Sequence, residues 1–141
     1  MIPAIFNQDS SQVCYPAVLM SSTAVNNDYT RWRDLYLDSA YGVAFGIIIN
    51  GVDYSLIYRD LYDFSAVLSM ADVAQNIQDV LNTNDNIVTV VFDNFTNKFI
   101  ITTIQVGPTA SLQCVITDYG GYFPLEYEIQ TIGQEVFGYC S

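Results

Sequence analysis

The apolar residues change period along the chain, and each change marks an element. From Ala44 the stretches AFGIIIN and VDYSLIY are β-branched and aromatic, and Asn50-Gly51 between them suits the positive φ angles of a two-residue type I′ turn. This predicts a hairpin whose second strand presents Val52, Tyr54, Leu56 and Tyr58 on one face and Asp53, Ser55 and Arg59 on the other. The period then lengthens: Met70, Val73, Ala74, Ile77, Val80 and Leu81 recur at helical spacing. Ser69 and Asp72 approximate a capping box, and Asn82 or Asn84 ends the run, which predicts an amphipathic helix over about 69–82. A second hairpin follows, NIVTVVF and KFIITTI around the turn DNFTN, with Thr89, Thr102 and Thr103 suited to a pleated surface. VGPTA breaks the chain before SLQCVIT, where Leu112, Cys114 and Ile116 alternate.

The flanks are less regular. Residues 1–43 predict an N-terminal arm and irregular segment, in which CYPAVLM is one candidate strand and Pro16 places it at an edge or a strand start. DYTRWRDLYLDSAYG fits neither period and stays unassigned. Residues 118–141, punctuated by Gly120-Gly121, Pro124, Gly133 and Gly138, read as a hairpin or a docking tail. The order over 44–117 is strand, strand, helix, strand, strand, strand. The expected fold is α+β: a single domain with a mainly antiparallel sheet or sandwich packed by one amphipathic helix.

Composition sharpens this picture. With 141 residues and 51% hydrophobic content, the chain can bury one core, and a second would be starved. Fifteen acids stand against Arg31, Arg33, Arg59 and Lys98, a formal net charge of −11. Such a surface repels phosphate backbones, so sequence-specific nucleic-acid binding is not expected. No N-terminal stretch pairs a basic with an apolar region, which predicts no secretory signal. The longest apolar run, Val43 to Ile49, is strand-sized, and membrane binding is not expected. Cys14, Cys114 and Cys140 read as reduced, partly buried thiols, with a Cys14–Cys140 staple between the chain ends as the alternative.

Candidate chemistry is sparse. The chain has no histidine, which removes Ser-His-Asp, Cys-His and H-E-x-x-H arrangements. The acidic pairs Asp34/Asp38, Asp60/Asp63 and Glu126/Glu128 have the residue type of glycosidase carboxylates but are read as solvated surface groups. The oxygen-rich NTNDN and DNFTN lack EF-hand spacing and read as turns. Gly42/Gly46 and Gly120/Gly121 match no phosphate-binding loop, and Asn94-Phe95-Thr96 is taken as a chance match to a glycosylation acceptor. No catalytic residue, cofactor or metal is expected.

The succession IIINGVDYSL, LSMADVAQNIQDVLN and IVTVVFDNFTNKFIITTIQVGPTASLQCVI resembles a module of tail-sheath-like proteins of tailed bacteriophages, and is also similar to the repeat of flagellar hook-associated proteins. The matching positions are Asn50, Gly51, Ser69, Asp72, Val73, Ala74, Ile77, Phe99, Gly107 and Ser111, and the resemblance spans residues 44–117. It implies a repeating virion or extracellular assembly and carries over no catalytic residue.

The functional expectation is a non-enzymatic structural subunit of a tailed-phage virion, in the tail or on the capsid surface. It would be made in the host cytoplasm and assemble with copies of itself and other virion proteins into a symmetric ring or lattice. Scarce positive charges would anchor to acidic neighbours and clustered aromatics would fill contacts. The candidate interface residues are therefore Arg31, Trp32, Arg33, Arg59, Tyr119, Tyr122, Phe123, Tyr127, Phe137 and Tyr139. The alternative is a receptor- or glycan-binding module working through aromatic loops.

Overall fold

The computed structural model describes residues 12–141, so the first part of the expected N-terminal arm lies outside the described residues. The fold is α+β, mostly antiparallel strands with few helices. The elements run β1 (Cys14–Met20), α1 (Tyr29–Asp38), β2 (Gly42–Ala44), β3 (Ile47–Ile49), β4 (Val52–Asp53), α2 (Met70–Leu81), β5 (Val88–Asp93) and β6 (Lys98–Val106). There follow β7 (Ser111–Cys114), β8 (Tyr122–Pro124), α3 (Glu126–Ile129), β9 (Glu135–Phe137) and β10 (Tyr139–Cys140). One sheet has the order β10-β1-β6-β5, another β4-β3-β7-β9, and β2 pairs in parallel with β8 between more distant parts of the chain.

The first hairpin turns where expected, with Asn50 at φ 51° and Gly51 at φ 82°. Its second strand is far shorter than the pattern implies. The Asp53 carboxylate accepts the Ser55 N–H at 2.8 Å, and the Ser55 hydroxyl accepts the Ile47 N–H at 3.2 Å. This local side-chain turn ends β4 after Asp53 and breaks the alternation, leaving Leu56 59% exposed while Tyr58 is buried.

The helix α2 follows its sequence closely. The Ser69 hydroxyl accepts the Asp72 N–H at 3.1 Å, and the Asp72 carboxylate reaches back to the Leu68 N–H at 2.9 Å. Met70, Val73, Ala74, Ile77, Val80 and Leu81 are its buried stripe, packed towards β5. Its polar residues also close the outer edge of that strand. Asn82 accepts from the Ile87 and Val88 N–H groups and donates to the Val88 carbonyl, while Gln78 accepts the Val90 N–H at 2.9 Å. An open strand edge is thereby satisfied from within the chain.

The described part of the N-terminal segment is built into the fold. β1 lies inside its sheet, between β10 and β6, and Pro16 sits at the register shift between Pro16 and Val18. A proline lacks the N–H that a ladder needs, and although β1 is interior at Cys14 and Tyr15, β10 ends there, so Pro16 is paired on the β6 side only and its missing N–H meets no ladder. The unassigned stretch after Asn27 forms α1, a second main helix, capped by Asp28 through the Thr30 N–H at 3.0 Å. Trp32 alone among its residues is fully buried, donating to the Asn26 carbonyl at 3.1 Å and packing 5.7 Å from Phe64, 5.4 Å from Phe99 and 5.7 Å from Phe123.

The two ends of the described residues meet. Cys14 and Cys140 face each other across β1 and β10 and form a disulfide, correcting the reading of both as reduced thiols. The Ser141 N–H donates to the Val13 carbonyl at 2.8 Å, and the Tyr15 and Tyr139 rings stack at 4.8 Å. Cys114 remains a buried free thiol, as expected of a small hydrophobe.

Candidate interaction surfaces

The structure sorts the expected interface residues into three groups. Trp32 and Phe123 belong to the core, so the reading of them as contact residues is corrected: their area is spent inside the fold. Two of the arginines are engaged within the chain. Arg31 pairs with Glu128 at 2.9 Å, and Arg33 donates to the Val67 carbonyl and lies 5.5 Å over the Tyr29 ring. Both guanidinium groups are thus held in place by contacts within the chain. Arg59 is exposed and lies 5.5 Å over Tyr119. Tyr127, Phe137 and Tyr139 are exposed on α3, β9 and β10.

Carboxylates read as surface groups also separate. Glu126 is fully buried: one oxygen accepts the Gly46 N–H at 2.9 Å, and the other accepts the Thr117 N–H at 2.6 Å and the Thr117 hydroxyl. The neighbouring backbone leaves no room to spare, since a Cβ at Gly46 would fall 1.9 Å from the Val115 carbonyl oxygen. Glu126 thus stitches the β2–β3 passage to the strand end after β7, out of reach of any substrate. Burial, assisted by the Glu126 charge, pushes the Cys114 thiol up to about 12 and keeps it protonated. Burial likewise raises Tyr62 well above the usual phenol range.

One surface is aromatic. Tyr41 stacks on Tyr122 at 5.5 Å, and Tyr119 meets Tyr122 edge-on at 6.0 Å. The parallel β2–β8 ladder sets this group by placing Gly42 opposite Tyr122. The Gly121 carbonyl accepts the Ala40 and Tyr41 N–H groups at 2.9 and 3.2 Å. Gly121 has φ +87°, and a Cβ there would fall 2.7 Å from the Tyr41 ring, so glycine lets that ring lie on the backbone. The Tyr122 phenol donates to the Asp60 carboxylate, which, with burial and the carboxylate charge, raises its pKa. Beside Tyr122 opens a groove of about 450 Å³ lined by Leu35, Asp38, Ser39, Phe123 and Pro124. Tyr41 was missed in the sequence because it closes the stretch whose apolar positions follow no period.

The other surface is the outer face of β1, β6 and β5. Register places Met20, Ile100 and Val91 in one row and Val18, Thr102 and Thr89 in the next, with Ile104 beyond. Val18, Met20, Val91 and Ile104 are 43–52% exposed. The charges on these rows, Asp93 and Lys98, sit opposite each other at the hairpin end. The sheet therefore offers water a nearly uncharged apolar face while α2 covers the opposite side of β5.

Comparison with curated proteins finds no match. A family comparison does: residues 43–131, running from β2 through α3, match the family described as E217 tail sheath protein gp31, insert domain. All of α1 lies outside the matched span, as do β1, β9 and β10, the three strands that complete the two four-stranded sheets. With well over half of its residues matched, the chain belongs to the tail sheath insert-domain family.

Proposed function

We propose that the chain is a non-enzymatic structural component of a phage tail, carried on the virion, that packs against copies of itself and other virion proteins through the outer β1/β6/β5 face. The observation carrying this reading is a β-branched, apolar face with its charges confined to one end, on a chain of net charge −11. Elsewhere like charge holds copies apart, whereas contact here removes apolar side chains from water and buries no unpaired ion. The β5 edge is closed by Asn82 and Gln78 over Val88–Val90, so face packing rather than strand addition is favoured there. Each contact is weak alone, and repetition along a tail multiplies it into a ring or lattice. Exposed Tyr127, Phe137 and Tyr139 extend the contact surface beyond this face. Val91→Glu and Ile104→Glu test the reading. Sedimentation of the full chain, alone and with purified tails, should show self-association or tail binding that both substitutions abolish; a monomer that ignores tails at high concentration would refute it.

A further inference from the structure

We propose that the groove beside Tyr122, together with the Tyr41 platform, binds a neutral pyranose unit of a polysaccharide. This site lies apart from the outer sheet face and does not depend on the assembly reading.

Tyr41 is 65% exposed yet fixed, its backbone bonded to Gly121 and its ring lying on Gly121 and against Tyr122. A ring held open to water brings little to the core, while its rotamer freedom is already lost, so a ligand that stacks on it meets a preorganised surface. The face of a pyranose carries a patch of C–H groups that suits such a ring, and its rim carries hydroxyls. Those hydroxyls find acceptors and donors around the groove: Asp38 and Ser39 line it, and Asp60 and Arg59 flank Tyr122 and Tyr119. A volume of about 450 Å³ falls within the ~300–1,000 Å³ range of small-ligand sites. Charge selects among sugars. Asp38 in the groove wall and Asp60 beside Tyr122, on a chain of net charge −11, disfavour uronic and sialic acids, leaving neutral rings. The groove is open rather than enclosed, which admits one unit of a continuing chain and favours a polymer over a free monosaccharide.

The full chain is screened against neutral and anionic oligosaccharides, free monosaccharides and proline-rich peptides, and hits are titrated by NMR. Neutral oligosaccharides should bind, more tightly than their monosaccharides, and shift the amides of Tyr41, Gly121 and Tyr122. Tyr41→Ala should weaken binding about tenfold or more and Tyr41→Phe by less than about twofold, since the phenyl face is retained. Phe95→Ala, at a 99% exposed ring on the distant β5–β6 turn, should change nothing. Should Tyr41→Ala fail to fold, Asp38→Asn at the end of α1 substitutes for it, with an expected loss of about threefold or more. Absence of neutral-glycan binding at millimolar concentration, preference for anionic sugars or proline-rich peptides, or unchanged affinity in the folded Tyr41→Ala or Asp38→Asn chain would each overturn the proposal. Sedimentation of these variants reports the assembly reading separately.

Discussion

At Gly46 and Glu126 a missing side chain and a buried charge depend on each other. The close approach of Val115 requires glycine, and the resulting backbone path delivers the Gly46 N–H to a carboxylate that no solvent reaches. Glu126→Ala strands the Gly46 and Thr117 amides, and should cost about 3 kcal/mol or more in urea unfolding. Cys114 gives a second outcome. Its raised pKa and burial keep it unreactive, so alkylation at pH 8 should proceed only in denaturant. Acid gives a third. The Thr30 contacts hold Asp28 below the ordinary carboxylate value of 3.8, and Thr96 and Phe95 do the same for Asp93. Their stabilising effect is therefore complete above that value and lost as pH falls through the lower folded one. Melting temperature followed down this range should fall less steeply in Asp28→Asn and Asp93→Asn than in the parent chain. None of the Glu126 arrangement was visible beforehand, because a carboxylate in a Gly- and aromatic-rich tail carries no sign of whether water reaches it.

Among elements, those defined by local chemistry were legible and those defined by distant contacts were not. The stripe and caps of α2 and the alternation of β5 and β6 each need only neighbouring residues, and all three appear close to their expected bounds. α1 gave no period because only Trp32 is fully buried on it, and one anchor makes no stripe. β4 gave too much, since four alternating apolar positions outweighed an Asp-x-Ser turn signal in the middle of them. The aromatic surface was half legible: Tyr119, Tyr122 and Arg59 were singled out, but their meeting with Tyr41 depends on the parallel pairing of β2 with β8, far apart in the chain. A prediction at this scale concerns the strand edge. Asn82→Ala removes three hydrogen bonds from Ile87 and Val88 and should lower stability by about 2 kcal/mol, with faster amide exchange at Ile87 and Val88.

For the whole molecule the governing feature is the closure of Cys14 onto Cys140. The Cys14–Cys140 bridge spans a sequence separation of 126, and restricting so long a loop in the unfolded chain is worth up to about 5 kcal/mol. A reducing agent, or Cys14→Ser with Cys140→Ser, should lower the urea midpoint accordingly while Tyr15, Tyr139 and the β1–β10 ladder keep the ends together. Three widely spaced cysteines gave no means of choosing this pair, because what brings it together is the return of β10 to an interior strand.

That return has a topological corollary. Because Val13 and Ser141 are bonded neighbours, the described body starts and finishes at one seam, and everything between them projects as one pendant. Such a body could be spliced into a surface loop of an unrelated carrier without prising either partner apart. A short glycine-serine bridge across the seam should equally permit new termini at the exposed Asn94–Phe95 tip, and a permuted chain with its parent's near-ultraviolet spectrum would demonstrate it.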